Sequence, residues 1–149
     1  MDTITAKAES IVRAAPSAVF HAFADPDQMS KFWFTRRDDG LKEGESMSWF
    51  VGSAKEAYAI DVRVIEIKEP EVIRIKWKSH GNYHQVSWMI EDTNDEHSIL
   101  RIEESGFQGS EDEIIAQALD STGGFNQVTI ALKAYLEHGA IINVVTDHP

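Results

Sequence analysis

The chain has no cysteine among its 149 residues. Disulfides, thiolate zinc sites and cysteine nucleophiles are therefore excluded, and the absence fits a reducing cytoplasm. Long apolar runs are also lacking: there is no stretch of about 20 apolar residues, and the N-terminus does not have the apolar region of a secretory signal. We expect a cytoplasmic protein without a membrane span.

Basic residues are few. Lys and Arg number 14 against 25 Asp and Glu, so the formal net charge at pH 7 is −11. Such a charge repels the phosphates of nucleic acids, because no basic surface can replace their counterions. We expect no nucleic-acid partner. The length is typical of one domain with one core, and we assign residues 1–149 to a single domain.

Motifs of catalysis and cofactor binding are lacking as well. Ser110 is not part of a nucleophile elbow, and there is no Gly-rich phosphate loop. His80 and His84 are four residues apart, but on a strand and its turn, where two imidazoles need not converge on a metal. The sequence therefore predicts no metal site and no cofactor, and we identify no catalytic residue in it.

Alternation of apolar and polar residues is the strongest pattern that is present. Each alternating run is typical of a half-buried β-strand, and several are separated by turn residues. Within the third run the apolar parity changes after Val64, which predicts a β-bulge. The predicted strands are Thr3–Arg13, Ser46–Val51, Tyr58–Lys68, Val72–Lys78, Tyr83–Glu91 and Ser98–Glu104.

Helix signals occur in two places. Pro16 predicts a short helix to about Ala24, and Asp25-Pro26 starts a second one that should reach about Trp33. Ser110 to Glu113 form a capping box, after which apolar residues recur at spacings of three and four up to Gly139. The Gly123-Gly124 pair leaves open a kink or a division of this long helix. Residues 35–44 show no period and are interpreted as a loop.

Three short sequence segments, in this order, resemble those of a known superfamily. They are Ala15-Pro16-Ser17-Ala18-Val19-Phe20, then Val64-Ile65-Glu66-Ile67-Lys68-Glu69-Pro70 running into Ile75-Lys76-Trp77, and Leu132-Lys133-Ala134-Tyr135-Leu136-Glu137-His138-Gly139. The chain resembles START-related and birch-pollen-allergen-like (SRPBCC) domains, within the branch named for the activator of heat-shock-protein-90 ATPase.

The resemblance implies an α+β helix-grip fold. In that fold a curved antiparallel sheet, six-stranded here, wraps a long C-terminal helix, and two short helices lie between strands one and two. It also implies a hydrophobic cavity between the sheet and the long helix, which members of the superfamily use for lipids, sterols, polyketides or plant hormones. The Gly123-Gly124 pair is the departure from this pattern.

Aromatic residues dominate the buried face of the predicted sheet. Trp49, Trp77 and Trp88 are in phase with the apolar residues of their strands, so they either fill the core or form the wall of a cavity. Phe32, Trp33 and Phe34 cannot all face one core, and we expect at least one to be exposed or to cover the mouth of a pocket. The expected ligand-binding residues are Trp33, Phe34, Trp49, Tyr58, Trp77, His84, Trp88, Glu104, Phe125 and Val128.

Two polar residues share the buried parity. His84 is in phase with Trp88, and Glu104 with Ile102, so both should point to the concave side. If the turn at 92–97 pairs Trp88 with Leu100, His84 lies opposite Glu104 and the two could bind the polar head of a ligand. A register shifted by two residues sets Val86 against Glu104. The alternative is that both side chains lie at strand ends and reach water.

Three functions follow as hypotheses. The first is non-catalytic binding of a small hydrophobic or amphipathic molecule between the sheet and the C-terminal helix. The second, from the name of the branch, is an interaction protein that assists a chaperone ATPase. The third is an enzyme similar to polyketide cyclases, in which His84 and Glu104 would transfer protons.

Overall fold

The computed structural model describes residues 3–33, 36–37, 40–51 and 58–147, without the side chains at 36, 51 and 58. An antiparallel sheet curves around a long C-terminal helix in the predicted α+β helix-grip arrangement. The strands are β1 (Ala6–Val12), β2 (Arg36–Arg37), β3 (Ser46–Val51), β4 (Tyr58–Lys68), β5 (Val72–Ser79), β6 (Asn82–Asp92) and β7 (Ser98–Ser105). The helices are α1 (Pro16–Ala24), α2 (Pro26–Met29) and α3 (Glu111–His138).

The sheet is a meander from β2 to β7, with β1 added beside β7. All six predicted strands are present. The additional strand β2 lies in the stretch that was interpreted as a loop, and its residues Arg36 and Arg37 pair with Phe50 and Trp49 of β3. As a result, β2 and β1 form the two edges of the sheet.

The parity change in β4 is a β-bulge, as predicted. Val64 pairs with Ile75 of β5, whereas Glu66 pairs with Arg74, so Ile65 is the additional residue. Its side chain is 45% exposed. A bulge increases the local twist and bends its strand, which helps this sheet to curve.

The two short helices begin as predicted. Pro16 opens α1, and the carboxylate of Asp25 caps α2 by accepting a hydrogen bond of 3.0 Å from the N–H of Asp27. The predicted extent of α2 is wrong, because it ends at Met29 and not near Trp33. The chain continues in tight turns that place the side chains of Phe32 and Trp33 in the core.

Helix α3 is one continuous helix. Ser110 Oγ accepts a hydrogen bond of 3.2 Å from the N–H of Glu113, and Glu113 Oε1 accepts one of 3.3 Å from the N–H of Ser110. The Gly123-Gly124 pair does not divide the helix. Gly139 ends it with a left-handed backbone (φ 64°), and its N–H donates to the carbonyl of Tyr135 at 3.0 Å. No helix in the described part of the chain is both long and apolar enough to cross a membrane.

Strand β1 contacts both β7 and helix α3. It pairs with β7 over its whole length, from Ala6 opposite Glu104 to Val12 opposite Ser98. Near its end, the N–H of Arg13 donates to Glu137 Oε2 of α3 at 3.1 Å. The first strand therefore joins the last strand to the last helix.

One main core lies between the concave face of the sheet, α1 and α3. Its apolar residues include Val62 and Val64 of β4, Ile73 and Ile75 of β5, Val86, Trp88 and Ile90 of β6, Leu100 and Ile102 of β7, Val19, Phe20 and Phe23 of α1, and Phe125, Val128, Ala131 and Leu132 of α3. Burial of these side chains drives the sheet onto the helix.

Candidate functional site

All four tryptophans of the chain lie in one cluster on the concave side of the sheet. The ring centroid of Trp33, which follows α2, is 6.3 Å from that of Trp49, 6.1 Å from that of Trp77 and 5.8 Å from that of Trp88. The ring of Trp77 stacks on Phe125 of α3, with 6.0 Å between centroids and 10° between planes. Five of the expected binding residues are therefore in mutual contact.

The other expected apolar binding residues have different outcomes. Val128 is buried in the same core from the side of α3. Phe34 and the side chain of Tyr58 lie outside the described residues. Phe32 and Trp33 are both buried, so the predicted exposed aromatic residue of this triplet depends on Phe34 and stays a prediction.

The pairing of β6 with β7 follows the second of the two predicted registers. Val86 lies opposite Glu104 and Trp88 opposite Ile102, so the register that set Trp88 against Leu100 is wrong. Nevertheless, His84 and Glu104 are in contact, because diagonal neighbours in an antiparallel pair are within reach of long side chains. The distance from His84 Nδ1 to Glu104 Oε2 is 2.7 Å.

This His84–Glu104 pair is buried, with the two side chains 1% and 2% exposed. The alternative in which both reach water is therefore wrong. Trp77 Nε1 donates a second hydrogen bond to Glu104 Oε2, at 3.0 Å. Because an indole N–H can only donate, Oε2 is an acceptor, and we assign the proton of the short contact to His84 Nδ1.

Several polar atoms on the concave side take part in no hydrogen bond with the described residues. Among the described residues, His84 Nε2, Glu104 Oε1 and Trp88 Nε1 are buried and have no hydrogen-bond partner. Buried polar atoms in native proteins nearly always have a partner in the protein, in ordered water or in a ligand. The concave side thus presents an imidazole nitrogen and a carboxyl oxygen next to an aromatic wall.

The segment after β7 forms the other wall around His84. The rings of His84 and Phe107 meet edge to face, with 4.9 Å between centroids. Gly106 has φ 101°, and a Cβ atom there would lie 3.3 Å from His84 Cα and from the carbonyl oxygen of Tyr83. Glycine at 106 therefore allows this segment to pass close to β6 and places Phe107 on the imidazole.

Two kinds of chemistry are open to such a pair. With Nδ1 held by Glu104, a neutral imidazole presents a lone pair at Nε2 and accepts a hydrogen bond or a proton from a bound group. Glu104 Oε1 accepts a hydrogen bond from a hydroxyl or an amide. The pair can therefore orient a polar head group, or it can move a proton if the bound molecule has a reactive position.

A further polar residue on the concave side, Arg37 of β2, was missed in the sequence. It is 4% exposed, and its Nη2 donates to the carbonyls of Phe23 and Ala24, at the end of α1, at 2.9 and 2.7 Å. The guanidinium carbon lies 5.2 Å from the ring centroid of Trp49. Arg37 lies in the aperiodic stretch at 35–44, where no sequence pattern marks it as buried.

Burial changes the acidity of this guanidinium. Removal from water lowers the pKa of Arg37 to about 10, and the nearby carboxylate of Asp25 opposes this shift. The group remains a cation at neutral pH. Its Nε and Nη1 atoms are buried and have no hydrogen-bond partner among the described residues.

A groove of about 730 Å³ lies elsewhere on the molecule. It is formed by the start of α1, the turn between β4 and β5, and mainly outward-facing residues of β6 and β7, such as Met89, Glu91 and Arg101. None of the expected binding residues whose side chains are described lines it. The cavity expected between the sheet and α3 stays a prediction.

Within the described ranges, no group of three His, Asp or Glu side chains is arranged to hold a metal ion.

Sequence comparison gives a family match over most of the chain. The model of the family described as "Activator of Hsp90 ATPase homolog 1-like protein" matches residues 13–137. A search of the curated proteins finds no match.

Solved structures with a similar fold come from several organisms. Protein SSP2350 from Staphylococcus saprophyticus has a TM-score of 0.78 and 21% identity, covering 93% of this chain and 96% of that one. The Aha1 dimer from Colwellia psychrerythraea has a TM-score of 0.74 and 14% identity, covering 91% and 98%. PFC0360w, an HSP90 activator from Plasmodium falciparum, has a TM-score of 0.68 and 17% identity, covering 91% and 96%. At such identities the similarity shows the fold alone.

Proposed function

This chain belongs to the family of activator of Hsp90 ATPase homolog 1-like proteins, and on that premise we propose that it binds a small hydrophobic or amphipathic molecule between its sheet and helix α3. The apolar body of the molecule lies against the tryptophan cluster. A polar group of the molecule bonds to the His84–Glu104 pair. The proposed role is binding and not catalysis.

The observation that carries this proposal is the set of unused polar atoms at the buried pair. His84 Nε2 and Glu104 Oε1 lie inside an apolar core without a partner among the described residues. Leaving a buried donor or acceptor unsatisfied costs about 1–3 kcal/mol. A side-chain pair that served stability alone would gain nothing from keeping two such atoms, whereas a ligand head group supplies the missing bonds.

The apolar part of the proposed site has matching chemistry. The four tryptophans and Phe125 present indole and phenyl faces, which bind flat or flexible hydrocarbon groups through dispersion and burial. A ligand must separate some of these ring contacts in order to enter. Binding therefore requires that the ligand replace the ring contacts it removes.

A ligand screen tests the proposal. The purified protein is examined by native mass spectrometry for a molecule that copurifies, and by thermal unfolding with a panel of lipids and aromatic compounds. A ligand at 100 times its dissociation constant adds about 2.7 kcal/mol to the free energy of unfolding. Absence of a copurified molecule together with no shift in Tm across the panel would refute the proposal.

Two matched histidine variants locate the site. His84→Asn removes the buried imidazole, and it should weaken binding of any stabilising compound about tenfold or more, because the head group loses its partner. His80→Asn changes an exposed histidine in the turn between β5 and β6, where Asn tolerates the left-handed backbone (φ 52°). It should leave affinity unchanged. Equal effects of the two variants would place binding elsewhere.

A second candidate function is assistance to a chaperone ATPase. The family match and the fold shared with the HSP90 activator from Plasmodium falciparum support it. In addition, α3 carries the large apolar side chains Leu119 and Ile130, which are 68% and 55% exposed. These residues, together with a net charge of −11, fit a basic partner surface with apolar patches.

A pull-down with the cell's own heat-shock-protein-90 homologue tests this second candidate. Binding should be present at low salt and weaken as salt screens the charges. Leu119→Ser should reduce recovery, whereas the buried His84→Asn variant should not. Failure to recover the chaperone at low salt would exclude this function.

A further inference from the structure

The guanidinium of Arg37 is buried, and most of its N–H groups have no hydrogen-bond partner among the described residues. A guanidinium has five N–H groups, and the two on Nη2 serve the carbonyls of Phe23 and Ala24. One N–H on Nε and two on Nη1 remain, and both atoms are buried without a partner among the described residues. Arg37 is therefore a cation whose free donors lie inside the protein.

No described carboxylate neutralises this cation. Asp25 is close enough to influence the pKa of Arg37. However, its two oxygens accept hydrogen bonds from the N–H of Asp27 at 3.0 Å and from Gln28 Nε2 at 3.4 Å, at the start of α2. Buried charges are normally paired with an opposite charge. Among the described residues, no anion forms such a pair with Arg37.

We propose that the carboxylate of a ligand forms an ion pair with Arg37, so that the molecule bound on the concave side is an amphipathic carboxylic acid. This inference rests on the proposed function and names its ligand class. One carboxylate oxygen accepts from Nη1 of Arg37. The hydrocarbon part of the acid begins at Trp49, whose ring lies beneath the guanidinium, and continues along the tryptophan cluster.

The two polar groups of the concave face give the acid a direction. Arg37 is on β2, and His84 is on β6, four strands away in the sheet. At about 4.8 Å per strand, this separation is about 19 Å across the sheet. The cation attracts the carboxylate at the β2 end. At the other end, Glu104 Oε1 is an acceptor, which suits a hydroxyl or an amide and disfavours a second carboxylate.

The test compares ligands that differ in charge only at one end. Decanoic acid, methyl decanoate and decan-1-ol are titrated into the protein at pH 8 and 150 mM salt, where the acid is ionised and the overall negative charge of the protein is screened beyond about 8 Å. Binding is followed by tryptophan fluorescence, since all four tryptophans lie in the proposed site, and by calorimetry. We expect the acid to bind about tenfold or more tightly than the alcohol and the ester.

Variants then assign the preference to one side chain. Arg37→Gln should remove the preference for the acid while the affinity for the alcohol changes less than about twofold. Arg37→Lys keeps the cation and should keep part of the preference. Arg63→Gln is the matched control, because Arg63 is exposed and lies over the ring of Tyr83. It should leave the preference unchanged.

The outcomes separate this inference from the function on which it rests. Equal affinities for acid, ester and alcohol in the unmodified protein would overturn the role of Arg37 and leave ligand binding intact. If none of the three compounds binds, both the role of Arg37 and the binding of compounds with a ten-carbon hydrocarbon chain are overturned. If Arg37→Gln does not fold, the comparison of acid with ester in the unmodified protein still decides.

Discussion

Two buried charged residues on the concave face, Glu104 and Arg37, have opposite surroundings. Glu104 lies on β7 inside the sheet, and the side chains of Trp77 and His84 on β5 and β6 bond to one of its oxygens. Arg37 lies on the short edge strand β2, and its hydrogen bonds within the described part of the chain go to main-chain carbonyls of α1. A side-chain network thus fixes Glu104, whereas the position of Arg37 depends on a helix end.

The two side chains therefore contribute differently to the stability of the fold. Removal of Glu104 leaves two donors without an acceptor, so the network stabilises the folded chain as long as every member is present. Arg37 has buried N–H groups that no described residue accepts from, so its removal takes away a burial cost together with two hydrogen bonds. We therefore expect the loss of Glu104 to reduce the free energy of unfolding more than the loss of Arg37.

Glu104→Ala should give the largest effect. The indole of Trp77 and the imidazole of His84 lose their acceptor inside the core, and the expected loss in the free energy of unfolding is about 3–5 kcal/mol. Urea unfolding measures it. Glu103→Ala is the neighbouring control, since Glu103 has the opposite parity and is half-buried on the other face. A loss at 104 no larger than at 103 would contradict the network.

A double-mutant cycle on His84 and Glu104 sharpens the comparison. The variants His84→Asn, Glu104→Gln and their combination should show a coupling free energy of roughly 0.5–3 kcal/mol, because the two side chains share a short buried hydrogen bond. The exposed pair Arg101–Glu9, 3.2 Å apart, provides the control cycle and should couple far less. Equal coupling in the two cycles would mean that burial adds nothing to the pair.

Phe107→Leu tests the apolar support of the imidazole. The ring of Phe107 lies edge to face with that of His84, and its loss should cost about 1 kcal/mol, without breaking any hydrogen bond. The measurement is again urea unfolding, with the Glu104→Ala result as reference. If Phe107→Leu lowers the free energy of unfolding as much as Glu104→Ala does, packing against Phe107 holds His84 in place, and not the carboxylate of Glu104.

Arg37→Met should give the smallest effect, below about 1 kcal/mol. The carbonyls of Phe23 and Ala24 lose a donor, but the burial cost of an unpaired cation disappears, and methionine fills similar space. Thermal and urea unfolding measure the change. A destabilisation comparable with that of Glu104→Ala would show that Arg37 is retained for folding.

Much of the fold was predictable from the sequence because its signals are local. Alternation marks the strands, the parity change marks the bulge at Ile65, and the capping box together with Gly139 marks the two ends of α3. Gly123 and Gly124 do not divide the helix, since packing of Phe125, Val128 and Leu132 outweighs their low helix propensity.

The register of β6 with β7 was not predictable from alternation, because a shift by two residues leaves every side chain on the same face. The turn decides it. Asp92 pairs with Ser98, and Asn94 and Glu96 both adopt positive φ between them, at 68° and 66°. Left-handed Glu is uncommon, so no sequence rule favours this five-residue loop over a shorter one.

Arg37 was not predictable for a different reason. Its burial depends on the pairing of β2 with Trp49 and on the end of α1, both of which are tertiary contacts. The stretch around it is charged and has no period. Sequence reasoning therefore identified one polar end of the concave face, at His84 and Glu104, and not the other.

The pairing of β1 with β7 has a consequence for how the protein is made. Ala6 and Glu104 are about 100 residues apart in the chain, and Arg13 meets Glu137 later still. Contacts of such long range carry a high loop-closure entropy and slow the folding of a domain. During synthesis, β1 stays without its partner strand until β7 has left the ribosome, so chaperone protection of Ala6–Val12 over that time would aid folding.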